Sequence, residues 1–244
     1  MIKIKSPAIS VSKACLRFQD KVLFDDLDFH LAAGQTTCLL GASGIGKSRF
    51  LQLIAGLQTA SVNITTCDQK GLSGRLAYMP QADALLPWLN ILNNVVLGYR
   101  LRRTKKPYAQ ARELLNQLGL GDTLNKYPVQ LSGGMQQRAA LARVLLEDRP
   151  IVLMDEPFSA LDTITRHQLQ ELTAHTLKDR TVLLVTHDPL EALCLGHHIA
   201  IMSGQPAKIN YIQCELTDSP PRSLNNPALL QWQAKLLQCL QDLK

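Results

Sequence analysis

The chain has 244 residues, 46% hydrophobic and 19% charged, and its 26 Lys and Arg against 20 Asp and Glu leave a formal net charge of +6. This composition can bury one large core or two coupled subdomains, and it excludes a disordered or low-complexity chain. The longest apolar runs, IVLM (Ile151 to Met154) and VLLV (Val182 to Val185), fall far short of the roughly 20 residues of a membrane-spanning helix, and six scattered cysteines show neither a C-x-x-C pair nor zinc-site spacing, so buried, reduced thiols are expected.

The opening MIKIKSPAISVS lacks the apolar block of a secretory signal, and the chain is expected to stay in the cytosol. TTCLL (Thr36 to Leu40) reads as a short buried strand, and RFLQLIAGL (Arg49 to Leu57) as a helix that stops at a glycine. Between them lies GASGIGKS, of the form G-x-x-x-x-G-K-S. Such a loop closes around a triphosphate. The backbone N–H groups of Gly41, Ala42, Ser43, Gly44, Ile45 and Gly46 wrap phosphate oxygens, Lys47 reaches the outer phosphates and the Ser48 hydroxyl reaches Mg²⁺. Glycine is needed because a Cβ would block the backbone's approach, and the helix that follows turns its dipole and free N–H groups on the anion. A plain Gly-rich turn with a surface lysine is the bland alternative.

Further along, LLPWLNILNNVVL (Leu85 to Leu97) has unusual apolar density, part of it explained by core packing. The dense basic cluster RLRRTKK (Arg100 to Lys106) reads as a solvated face, and no nucleic-acid site follows from it. PYAQARELLNQLGL (Pro107 to Leu120) opens with a helix-starting proline, aligns Leu114, Leu115 and Leu118, and ends at Gly119. In LSGGMQQRAALARVLLEDRP (Leu131 to Pro150), Ser132 caps a helix whose first N–H groups Gly133 and Gly134 leave bare, which makes it either a second anion-seeking element or a well-capped helix. IVLMDEP is a buried strand with two carboxylates at its carboxyl end, where ligands of open α/β sheets bind. There Asp155 can hold Mg²⁺ and Glu156 can deprotonate an attacking water. TVLLVTHD (Thr181 to Asp188) brings His187 beside them. From Pro227 the chain ends in a short amphipathic helix expected to pack on the core.

GASGIGKS, Gln81 in YMPQ, LSGGMQQR, IVLMDEP, SALD (Ser159 to Asp162) and His187 in VTHD together resemble the ATP-binding cassette (ABC) ATPase family, in the family's order and over roughly residues 5 to 210. LSGGMQQR separates that family from other P-loop proteins. The resemblance implies an α/β fold: a P-loop NTPase, RecA-like core with an antiparallel β subdomain and an inserted α-helical subdomain at about 83–149. Residues 1–210 would form the ATP-binding domain and 211–244 a C-terminal extension. It also implies a head-to-tail homodimer in which Gly41 to Ser48 of one copy and Ser132 to Gly134 of the other enclose each ATP. By resemblance Lys47 meets the outer phosphates and Ser48, Gln81 and Asp155 surround Mg²⁺. Glu156 is the base, His187 senses the γ-phosphate, Asp162 links the two sites, and Phe18 stacks on adenine.

Two positions depart from the family pattern. Arg49 stands where a hydroxyl residue usually lies near the α-phosphate, so that contact is either lost or replaced by a charged one. Gly196-His197-His198 replaces a small-acidic-basic run, with both histidines expected at the surface. The region after Gln81 lies, in the family, against membrane permease subunits. PWLN with DEPFSALD is similar to ATPases of bacterial importers for nitrate, sulfonates, taurine and pyrimidine precursors of thiamine. The implied function is the ATP-hydrolysing subunit of an importer, peripheral on the cytoplasmic face of the bacterial inner membrane, working with a permease and a substrate-binding protein. A cassette acting on DNA or ribosomes usually carries a coiled-coil insertion or two cassettes, which this sequence lacks, and an exporter ATPase ranks below import on the PWLN segment.

Overall fold

The computed structural model describes residues 6–18, 21–216 and 218–242, so residues 1–5 of the opening segment lie outside it. Its elements are β1 (Ile9–Phe18), β2 (Lys21–Leu31), β3 (Thr36–Gly41), α1 (Lys47–Ile54), β4 (Ser61–Thr66), β5 (Leu76–Met79), α2 (Ile91–Val95), α3 (Leu97–Leu101), α4 (Tyr108–Gln117), α5 (Gly133–Leu146), β6 (Ile151–Asp155), α6 (Thr163–Thr176), β7 (Thr181–Val185), α7 (Pro189–Leu195), β8 (His198–Ser203), β9 (Lys208–Ile212) and α8 (Pro227–Asp242). They build two sheets. β2-β1-β4 is antiparallel, while β5-β6-β7-β3-β8-β9 is parallel except for β9 at its edge. This is the mixed α/β architecture expected of a P-loop NTPase.

The central strands are apolar on both sides because each side has its own cover. Successive residues point to opposite faces, so the strands divide between two cores. Cys38, Leu40, Val152, Met154, Val182, Leu184, Ile199 and Ile201 join the helices α2, α4, α5, α7 and α8. Leu39, Ile151, Leu153, Leu183, Val185, Ala200 and Met202 join α1 and the antiparallel sheet. The second core is knit by aromatic edges: Phe24 and Phe29 meet Phe50 of α1 edge-on at 5.7 and 5.2 Å. Tyr211 of β9 stacks on Phe29 at 5.7 Å and its hydroxyl bonds the His30 carbonyl, fastening the small sheet to the edge of the large one.

The helix read over Arg49 to Leu57 starts and stops earlier, at Lys47 and Ile54. Gly46, with φ of 113°, takes the cap position, so helical geometry begins on the lysine. At the other end Gly56 turns left-handed, with Leu57 N–H donating to Gln52 O and Gly56 N–H to Leu53 O, the paired bonds of a Schellman stop. From β5 to β6 the described residues hold only helices and turns. There Asn94, fully buried, accepts from Leu86 N–H and donates to the carbonyls of Leu86, Leu89 and Asn90, which fixes the loop carrying Trp88 at 70% exposure. The apolar density of Leu85 to Leu97 therefore divides: Ile91, Leu92, Val95 and Val96 are core and Trp88 is not.

The basic cluster lies on the exposed end of α3, where Arg102 pairs with Glu147 at 2.8 Å. Burial of the thiols holds for Cys38 and Cys194 alone; Cys15 and Cys214 are half-buried, and Cys67 and Cys239 are exposed because they fall in the turn after β4 and the last turn of α8. His197 and His198 are exposed yet bonded. The main-chain N–H of Thr36 donates to His197 Nδ1 at 3.1 Å, and His198 Nε2 meets Gln35 Oε1 at 2.6 Å. Helix α8 packs through Leu229 and Leu236, two turns apart on one stripe. Before it, buried Arg222 donates to the carbonyls of Leu193, Gly196 and Asp218, each at 2.7 Å, and closes the C-terminal end of α7.

Candidate functional site

β3 ends in Gly41, whose φ of 155° and close neighbour leave no room for a side chain: a Cβ there would lie 2.6 Å from the Met202 carbonyl oxygen. The loop then runs through Gly44 and Gly46, both at positive φ, into α1, which has no side-chain cap and no acidic residue in its first turn. Its N–H groups are therefore free to face an anion. Lys47 is buried and folds back across the loop, donating from Nζ to Gly41 O at 2.7 Å and Ala42 O at 2.9 Å. Burial pulls its ammonium below the ordinary value, while the carboxylates of Glu156 and Asp155 pull it back up.

Those carboxylates stand at the end of β6, two strands from β3 across β7. Asp155 is 2% exposed, and its Oδ1 has no hydrogen-bond partner. Burial raises its carboxyl above the usual range; the Ser48 hydroxyl bond works against this, the Glu156 charge adds to it and Lys47 opposes it. A buried carboxylate oxygen without a partner, beside a hydroxyl, suits a hard cation. Among the described residues no group of three or more His, Cys, Asp or Glu forms a metal cage by itself. Mg²⁺ does not need one, since one carboxylate and the substrate's phosphates complete its shell. Ser48, Asp155 and Gln81 are the oxygen donors that would hold it.

Glu156 sits in the left-handed region at φ 49°, a conformation a non-glycine residue keeps only where its surroundings enforce it. Here they do. Its N–H donates to Val185 O at 2.9 Å, and its carbonyl accepts from Gln137 Nε2 at 3.1 Å and Ser159 Oγ at 3.2 Å. The side chain is thereby aimed at His187, whose Nδ1 lies 3.3 Å from Glu156 Oε2. His187 follows β7 in a short loop locked by Thr186 N–H to Leu39 O and by Asp188 N–H to Thr186 Oγ1. Asp188 then caps α7, accepting from Leu190 N–H at 2.9 Å, and faces Arg166 at 3.7 Å.

Phe18, Gly44, Gly46, Lys47, Ser48, Arg49, Gln81 and Glu156 line one cleft of about 330 Å³. Phe18 is 44% exposed, so it is a wall of the cleft and not a core residue. Ser43 lines it too, Ala42 and Ile45 line a second cleft that shares Ser43 and Gly44 with it, and Gly41 and Asp155 end β3 and β6, from which the loop and Glu156 start. The other proposed residues lie elsewhere. Ser132 and Gly133 are exposed and Gly134 half-buried at the start of α5, where Ser132 Oγ accepts from Met135 N–H at 3.4 Å and a Cβ on Gly133 would meet nothing within 4 Å. Asp162 caps α6, accepting from Thr165 N–H at 3.0 Å, and that bond holds its carboxyl below the usual range.

Gln137 lies within LSGGMQQR, where the sequence reading gives it no role, yet it joins the two groups. From the second turn of α5 its amide donates to the Glu156 carbonyl and Ser159 Oγ and accepts from Ala160 N–H at 2.9 Å. Its signal in the sequence is a glutamine among the buried alanines of an apolar helix face. Buried Glu191, third in α7, was equally hidden, and Gln170 Nε2 donates to it at 3.3 Å.

The profile of the ABC transporter family matches residues 24–159. An uncharacterized ABC transporter ATP-binding protein of Haemophilus influenzae is 39% identical over 237 residues, which span 94% of this chain and 97% of that one. An aliphatic sulfonates import ATP-binding protein of Rhodococcus jostii is 38% identical, over 91% and 88%, and a taurine import ATP-binding protein of Yersinia pestis is 38% identical over 82% of each chain. A solved structure described as an inward-facing metal-chelate type ABC transporter superposes with a TM-score of 0.70 at 25% identity, covering 84% of this chain and 83% of the other.

Proposed function

Because the chain belongs to the ABC transporter family, we propose that it is the ATP-hydrolysing subunit of an importer for a small oxyanionic solute of the sulfonate or taurine type. The observation that carries the reading is the meeting of the phosphate loop, Lys47, Asp155, Glu156 and His187 at the carboxyl ends of three adjacent parallel strands. The loop's amides and the α1 N-terminus take the phosphates. Lys47, already held over the loop by Gly41 and Ala42 carbonyls, exchanges those contacts for phosphate oxygens. Mg²⁺, held by Ser48, Asp155 and Gln81, would supply charge neutralisation on the outer phosphates. Glu156 accepts a proton from the attacking water as its oxygen bonds to the γ-phosphorus, and ADP leaves with the former bridging oxygen. His187, in hydrogen-bond reach of Glu156, keeps that carboxylate aimed and meets the γ-phosphate.

The Ser132–Gly134 turn supports a head-to-tail homodimer: it is an anion-seeking helix start outside its own chain's cleft. A second copy's ATP gives it an occupant, with Asp162 beside the seam. No helix among the described residues is long and apolar enough to cross a membrane, and the family implies membrane permease subunits as partners. Trp88, exposed just past Gln81, supports that face as the permease contact, and the relatives' import names support a substrate-binding protein in the same system. Its place is then peripheral, on the cytoplasmic face of the bacterial inner membrane.

Glu156→Gln tests the core of the reading. The variant should bind MgATP as the wild type does, elute as a dimer with MgATP, and hydrolyse ATP at least about 100-fold more slowly. Unchanged turnover removes Glu156 as the base, and a monomer at all nucleotide concentrations removes the dimer.

A further inference from the structure

Arg49 does not point away from the cleft. Its guanidinium lies over the ring of Phe18, 4.5 Å from the centroid, and its side-chain hydrogen bond, from Nη1 to Gln52 Oε1, is long at 3.4 Å. Arg49 and Phe18 line the same cleft as Lys47 and Ser48. Arg49 follows Ser48 directly, so the guanidinium that covers the ring belongs to the residue at the end of the phosphate loop. A base carried by a triphosphate seated in that loop reaches the same ring. Among the described residues the half-exposed ring is the one aromatic platform in the cleft, and a base and a guanidinium cannot both occupy the same face of it.

We propose that Arg49 gates the base-binding face of Phe18: it covers the ring, and an entering base displaces it onto the phosphate chain. The proposal rests on the reading of this cleft as the nucleotide site. Displacement exchanges a cation–π contact for a charge-assisted bond from guanidinium to phosphate, the fork geometry for which arginine is suited. The base is thereby made to compete for its platform, while the phosphates gain a ligand. The site recognises its nucleotide by the triphosphate more than by the base, and arginine in place of a hydroxyl residue sets that balance.

Calorimetric titration of the full chain with MgATP, MgCTP and base-free magnesium tripolyphosphate tests the gate. In the wild type the three affinities should fall within about 10-fold of one another. Arg49→Thr should leave tripolyphosphate, which has no base to displace the guanidinium, within about 2-fold and strengthen ATP, widening the ratio between them by about 2- to 5-fold, the strength of the lost cation–π competitor. Arg49→Gln, which keeps most of the side chain's length, should widen it likewise and guards against a folding defect in the threonine variant. Phe18→Ala should cost more ATP affinity in the Arg49→Thr background than in the wild type. An unchanged ratio in both Arg49 variants, or strictly additive effects of Phe18→Ala, overturns the gate. So does a larger loss for ATP than for tripolyphosphate, which would mean that arginine supports the base from behind. A wild type that binds none of the three overturns the nucleotide site and the gate together.

Discussion

Glu191→Gln isolates what it costs to keep a carboxyl behind the loop of His187. Glu191 is 5% exposed, its Oε1 has no partner, and its Oε2 accepts one bond from Gln170. Burial, joined by the charge of Asp188, raises it from 4.5 to about 8 against the smaller opposing pull of Thr186, Gln170 and Arg166; Cys38 and Cys194 are further titratable groups facing it. Because the folded value lies above the unfolded one, the acid contributes stability that is whole below pH 4.5 and is lost as pH rises through about 8. At about 1.4 kcal/mol per tenfold step the ceiling is on the order of 5 kcal/mol, and local relaxation brings the expected swing to about 2–3 kcal/mol. Glutamine keeps the shape and cannot ionise. The melting temperature of the variant minus that of the wild type should therefore climb by about 4–12 °C between pH 5 and 8.5, other titrations cancelling in the difference. Differential scanning calorimetry across that range reads it directly. A flat difference would mean that Glu191 is not protonated in the folded protein, and the reasoning from burial would be wrong.

Gly41→Ala should lose at least about 2 kcal/mol in urea unfolding and should no longer bind MgATP, since the new Cβ meets the Met202 carbonyl oxygen. Gly133→Ala, with open space at its Cβ, should stay within about 0.5 kcal/mol of the wild type in the same assay. Arg222→Leu strips the donors from three carbonyls and should cost about 2–4 kcal/mol; a midpoint within about 0.5 kcal/mol of the wild type would show that water replaces them. Ser132→Trp should cost only about 1 kcal/mol of stability through the lost cap, yet abolish steady-state hydrolysis, and full activity in that variant would remove the Ser132 turn from the site.

Motif and period carry most of this architecture in the sequence. The glycine loop, the apolar strands and the helix starts at Ser132 and Pro227 are local signals, and each falls where its residues dictate. The errors are local too: α1 begins two residues early because Gly46, an obligatory loop glycine, doubles as its cap. What stays hidden depends on contacts distant in sequence. Gln137 meets Glu156 nineteen residues on. Arg222 meets carbonyls of α7 nearly thirty residues back. The lid of Arg49 on Phe18 joins an element of each sheet system, and a single hydroxyl-to-arginine change in the sequence does not say which way a long side chain will turn.

Helix α5 spans fourteen residues, about 21 Å, from the Ser132 turn to the approach of β6. Gln137, one turn in, grips the carbonyl of Glu156, the left-handed residue proposed as the base. On the proposed function, a partner copy seated on the outer turn bears on a rod hooked to the residue proposed as the base. One helix and one amide therefore span the distance between the Ser132 turn and the backbone of Glu156.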